Sequence, residues 1–68
     1  MTLTINGENR DFENVTTLSD LILQLGMKPD RVAIELNRNL VRREQWSDTK
    51  LSNGDKLEIV HFVGGGCP

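Results

Sequence analysis

One short helix dictates what this chain can become. Leu18, Leu21, Ile22 and Leu25 recur at the i, i+3, i+4 and i+7 positions of a single apolar stripe. Thr17 is placed to cap its start, and Asp20 adds negative charge to the first turn. Gly26 is placed to take the left-handed position that stops it, and Pro29 blocks any continuation. So short a helix is marginal in water, so its stripe must be laid across something apolar. The segments on either side read as strands, which makes that partner a sheet and the fold class α+β.

The strand pattern supports this. Leu3 and Ile5 alternate with Thr2, Thr4 and Asn6, and Asn6-Gly7 marks a type I′ hairpin turn because both residues tolerate positive φ. A second strand is expected around Arg10 to Glu13, anchored by Phe12. After the helix, a third strand should run from Arg31 to Leu36, with a turn at Asn37-Arg38-Asn39 and brief pairing by Leu40-Val41. Glu44 to Lys50 is polar around Trp46 and is expected to be irregular or a single turn, its indole covering one end of the core. Asn53-Gly54-Asp55 is a further turn. The last strand, Lys56 to Val63, should aim Leu57 and Ile59 inward and Glu58, Val60 and Phe62 outward. The result is a mixed sheet of four to five strands with one helix packed across one face, leaving the other face to solvent or to a partner.

Size and charge narrow the function. With 68 residues there is room for one domain, which buries only about 60% of the surface its unfolded chain exposes. A substrate-enclosing pocket of several hundred Å³ would consume much of such a core, which favours a protein that is acted upon over one that acts. The net charge of −2 lacks the basic footprint of a nucleic-acid binder. No apolar run reaches membrane-spanning length, and Met1 to Gly7 lacks the basic and apolar regions of a signal peptide, so a cytoplasmic location is expected. A lone cysteine, Cys67, forms no internal disulfide, and with the single histidine, His61, it does not make up a four-ligand zinc site.

The last strand runs straight into Gly64-Gly65-Gly66. Glycines have no side chains to pack and cost most to order, so residues 64–68 are expected to form a flexible tail on a domain of residues 1–63. On these physical grounds two readings stay open. One is a frayed terminus; the other is a slender end that threads a narrow channel and presents its acyl group to another protein's active site.

The order of elements, together with Glu58-Ile59-Val60-His61-Phe62-Val63-Gly64-Gly65-Gly66, resembles the ubiquitin-like β-grasp sulfur carriers, and within them the ThiS family of thiamine biosynthesis. Val32-Ala33-Ile34-Glu35-Leu36-Asn37 and Val41-Arg42-Arg43-Glu44-Gln45-Trp46 extend the likeness along nearly the whole chain. The resemblance implies a β-grasp fold and a carrier with no cofactor of its own, not an enzyme. It implies that a ThiF-like enzyme uses ATP to adenylate the carboxylate of the terminal glycine, Gly66. A sulfur donor enzyme then converts it to a thiocarboxylate, and a ThiG-like thiazole synthase takes the sulfur. Gly64 and Gly65 would be the lead that threads into the partner, and Val60 and Phe62 the surface that docks it. A carrier for another pathway (molybdopterin, cysteine or a secondary metabolite) and a ubiquitin-like protein tag would use the same tail.

One departure from the family pattern is Cys67-Pro68, which follows the glycines. While Gly66 is joined to Cys67 it has no carboxylate to adenylate, so a trimming peptidase is expected to remove the dipeptide. A non-carrier relative, or attack by Cys67 on the Gly66 carbonyl, are the alternatives. Elsewhere, His61 is expected to be a boundary residue without chemistry, and Arg38, Arg42 and Arg43 a solvated basic face.

Overall fold

The computed structural model describes residues 1–62. The expected tail, 64–68, and Val63 at the end of the last strand lie outside the described residues.

The chain opens with β1 (Thr2–Ile5) and β2 (Glu8–Asp11), antiparallel with Ile5 opposite Glu8. Asn6 and Gly7 between them both have positive φ, 50° and 86°, as the type I′ reading requires. That two-residue turn starts β2 at Glu8 and ends it before Phe12, earlier than the expected Arg10 to Glu13. β2 is an exposed edge strand with no apolar alternation to read, so its register follows from the turn alone. Phe12 still anchors the hairpin: it is buried just past the strand, and its N–H donates to the Met1 carbonyl at 2.8 Å.

Helix α1 (Leu18–Leu25) starts and stops where expected. Asp20 does more than add charge, because it completes a capping box. Its N–H donates to Thr17 Oγ1 at 3.2 Å, while its carboxylate accepts from the Thr16 and Thr17 N–H groups at 2.9 and 3.0 Å. These backbone donors, Thr17 first and then Thr16, hold the Asp20 carboxyl below its ordinary pKa. At the other end Gly26 has φ 73°. Its N–H bonds the Leu23 carbonyl and the Met27 N–H bonds the Ile22 carbonyl, closing a Schellman motif.

Pro29 does not merely block the helix. It opens a 3₁₀ turn, Pro29–Arg31, so β3 spans Val32–Leu36 and Arg31 lies just outside it. β3 turns at Asn37 and Arg38, both with positive φ, into β4 (Asn39–Val41). Arg43–Asp48 is a 3₁₀ helix that buries Trp46, whose Nε1–H donates to the Val41 carbonyl at 3.0 Å. The final strand, β5, spans Lys56–His61.

The strand order is β2-β1-β5-β3-β4, with β1 and β5 parallel and the other pairs antiparallel. This is the mixed sheet expected, with five strands and β5 at its centre. Leu3, Ile5, Ile34, Leu57 and Ile59 from the sheet meet Leu18, Leu21 and Ile22 from α1 in one core. Val15 and Leu51, on connections with no periodicity of their own, join it. No helix among the described residues is long and apolar enough to cross a membrane.

Candidate functional site

The candidate site begins with how β5 is held, because the chain leaves the described domain through it. Two turn asparagines grip the strand, one at its start and one near its middle. Asn37 accepts from the Lys56 N–H through Oδ1 at 3.0 Å and donates its own N–H to the Lys56 carbonyl at 2.7 Å. Asn6 bonds Ile59 twice: its Oδ1 accepts from the Ile59 N–H at 2.8 Å, and its Nδ2 donates to the Ile59 carbonyl at 3.1 Å. The amide thus replaces a strand residue just where β1 ends. A side chain lacking either the donor or the acceptor would leave part of this ladder unmade. The register gives β5 β1 as a partner only through Leu57, whereas β3 accompanies it to His61. One bond further, the Phe62 N–H donates to the Arg31 carbonyl at 2.7 Å. The chain is therefore anchored up to Phe62, with Val63 alone between it and the glycine run in the sequence.

Alternation in β5 then sorts its side chains. Leu57 and Ile59 are buried on the helix side, while Glu58 and Val60 face outward as expected. Val60 and Phe62 keep 56% and 49% of their surface exposed. Both are therefore accessible, near the end of the described domain that leads in the sequence to the glycines. Gly64, Gly65 and Gly66, and likewise Cys67, lie outside the described residues.

The structure adds neighbours that the sequence reading passed over. Ala33 lies opposite Val60, Glu35 opposite Glu58, and Leu40 opposite Glu35 on the next strand. Together they line a shallow concavity of about 270 Å³ on the open sheet face. The period-two pattern of Val32 to Leu36 carried this information, since it sets Ala33 and Glu35 on the face opposite Val32 and Ile34. Exposure of Leu40 had no such signal.

His61 is exposed and borders a separate open basin with Gly26, Met27, Lys28 and Arg31, which agrees with a boundary position. Arg38, Arg42 and Arg43 are all exposed. Trp46 is 2% exposed and seals one end of the core as expected. Among the described residues no three or more His, Cys, Asp or Glu side chains come together in a metal-binding group.

The sequence pattern of the ThiS family matches residues 3–66. The chain belongs to the ThiS family. The family match runs from β1 through the last of the three glycines and stops before Cys67. The sulfur carrier protein ThiS of Bacillus subtilis is 34% identical over 65 residues, covering 94% of this chain and 98% of that protein. The crystal structure of a ThiS thiamine biosynthesis protein from Geobacter metallireducens superposes with a TM-score of 0.80 at 30% identity, over 97% of this chain and all of that one. The fold is therefore the β-grasp of ThiS proteins. A thiazole synthase of Magnetococcus marinus is 41% identical over 66 residues. This ThiS-family chain spans only 20% of that longer protein, which thus contains a ThiS-like segment within a much larger chain.

Proposed function

We propose that the chain is a sulfur carrier for thiazole formation in thiamine biosynthesis, and that the sulfur is carried on Gly66. The observation behind this reading is the family match, which ends on Gly66, joined to a terminal strand anchored as far as Phe62. The chemistry belongs to the partners. A carboxylate is a poor electrophile until one oxygen becomes a good leaving group. In the proposed sequence, a ThiF-like enzyme brings the Gly66 carboxylate to the α-phosphorus of ATP, and pyrophosphate leaves. Sulfide supplied by a sulfur donor enzyme then displaces AMP, leaving a thiocarboxylate. A donor persulfide would instead give an acyl disulfide, from which a thiol of the partner enzyme releases the thiocarboxylate as it forms a disulfide with the donor sulfur. A glycine without a side chain allows close approach in both steps, and the stabilising donors sit on the enzyme. The carrier supplies no catalytic residue. A ThiG-like thiazole synthase accepts the sulfur, a role consistent with relatives in which a ThiS-like segment lies within a thiazole synthase chain.

In this reading residues 1–63 are the recognition domain and 64–68 the reactive tail, with Gly64 and Gly65 threading into the partner and Val60 and Phe62 docking it. Their exposure supports that assignment. A peptidase frees Gly66 by hydrolysing its bond to Cys67.

The test uses two chains, one ending at Gly66 and one at Pro68, each incubated with ATP, the host's adenylating enzyme and a sulfur source. Mass spectrometry should show sulfur in place of one oxygen on the shorter chain only. Isopeptide-linked products would identify a protein tag instead. Mature protein isolated from the native host and still ending at Pro68 would remove the trimming step.

A further inference from the structure

Folding places two carboxylates side by side on the open face. Glu35 on β3 and Glu58 on β5 are direct cross-strand partners, and both are exposed. Among the described residues neither carboxylate has an ion-pair or hydrogen-bond partner. Like charges in this position oppose folding of the strand pair. Aliphatic side chains border them: Leu40, 69% exposed, lies across from Glu35, while Val60 and Ala33 form the next cross-strand pair on the same face. All five residues line the concavity of about 270 Å³. The concavity is thus an anionic pair with aliphatic side chains on its rim, and the exposed Lys56 precedes Glu58 along the same face of β5.

That pattern selects its occupant. A second copy docking face to face would bring its own Glu35 and Glu58 against these, setting four carboxylates together. A lysine ammonium would meet the pair as a single point charge. A guanidinium has a planar fork of donors that reaches two carboxylates at once, and its aliphatic stem suits the rim. We propose that this face docks a segment of a partner protein that lowers an arginine onto the Glu35–Glu58 pair, with aliphatic neighbours seated on Leu40 and Val60. This rests on the reading of Val60 and Phe62 as a docking surface and names the chemistry of what docks there. The repulsion between the two carboxylates is relieved in the complex, so the charge pair favours the bound state specifically.

A consequence separates this role from a structural one: removing the charges should weaken binding while leaving the fold as stable or more so. The experiment measures calorimetric affinity of the chain ending at Gly66 for the host's adenylating enzyme, at low and high salt, alongside thermal unfolding. The double variant Glu35→Gln, Glu58→Gln should bind about tenfold more weakly at low salt and lose most of its salt dependence, with an unchanged or raised Tm. Glu58→Lys alone should bind more weakly still. Unchanged affinity in the double variant overturns the proposal. If Val60→Asp still abolishes binding in that case, the docking surface stands and only the arginine is wrong. If Val60→Asp has no effect either, the docking reading fails with it. Sedimentation showing a dimer that Val60→Asp disperses would assign the face to a second copy and overturn the proposal as well.

Discussion

On one face of the sheet Leu3, Ile34 and Leu57 are almost completely excluded from solvent beneath α1, whereas on the other Leu40 and Val60 keep more than half of their surface in water. β5 contributes to both, since Leu57 and Val60 are three residues apart and point to opposite sides. Apolar area on the helix side is already removed from water in the isolated domain and therefore stabilises the fold. Equivalent area on the open side contributes only when something covers it, and can stabilise only a complex. If the open face docks a partner as proposed, the two faces divide stability from recognition within a single layer of backbone.

The division is broken most forcefully by truncating the sealed face. Leu57→Ala should cost about 2–5 kcal/mol, as large-to-small core substitutions do. A domain of this length has only about 3–10 kcal/mol in total, so much of the population should unfold at modest urea concentration. Val60→Ala, on the same strand, should shift the urea midpoint by no more than about 0.5 kcal/mol equivalent. Similar losses for the two would mean that the open face is not open.

Phe62→Asp sharpens the comparison from the other side. The side chain is half exposed and lies outside the buried core, and the substitution keeps the backbone N–H that bonds the Arg31 carbonyl. We expect adenylation efficiency, measured as kcat/KM for pyrophosphate exchange by the host enzyme, to fall about tenfold or more, because a charge is introduced into an apolar contact. Urea unfolding should hardly change. A large stability loss would instead place Phe62 in the core.

How far the sequence revealed these faces depended on whether side-chain pattern or backbone geometry carried the information. The helix stripe, its Thr17 start, the Gly26 stop and the alternation of β5 were all legible, because each has a local cause. β2 was misplaced because Glu8, Asn9, Arg10 and Asp11 present no apolar residue to read, and the Asn6-Gly7 turn alone fixes where pairing begins. Burial of Val15 and Leu51 was not readable, since both sit on connections drawn inward by tertiary contacts. The clustering of Glu35, Glu58, Leu40 and Val60 depends on cross-strand register among three strands, which no single segment encodes. The resemblance to sulfur carriers singled out Val60 and Phe62 on and beside β5 but not the residues that adjoin them across the sheet.

Smaller effects should come from the ends of α1, the element that seals the inner face. Thr17→Ala removes the hydroxyl that accepts the Asp20 N–H, and should cost about 1 kcal/mol in a denaturant titration. Gly26→Ala should cost a similar amount for a different reason. A Cβ there meets nothing within 4 Å, so the penalty comes from the positive φ and not from a clash. If Gly26→Ala proved neutral, the left-handed stop would not be contributing as the Schellman bonds suggest.

The smallest expected effect concerns pH, and it too belongs to the sealed side alone. The Asp20 carboxylate accepts the Thr16 and Thr17 N–H groups, so its charged form is favoured in the folded chain and its pKa lies below the ordinary 3.8. The folded state thus holds this proton less tightly than the unfolded state. The resulting stabilisation is complete above pH 3.8 and is lost as pH falls through the lowered folded value. Asp20→Asn abolishes the titration. Its stability deficit relative to the parent chain should therefore be constant at neutral pH and shrink through the acid range, when urea midpoints are compared from about pH 7 down to about pH 2. The group is only partly buried, so the deficit should be modest and should diminish with added salt. A deficit for Asp20→Asn that stayed level across the whole acid range would mean that the box acts through neutral hydrogen bonding, with no contribution from the carboxylate's charge.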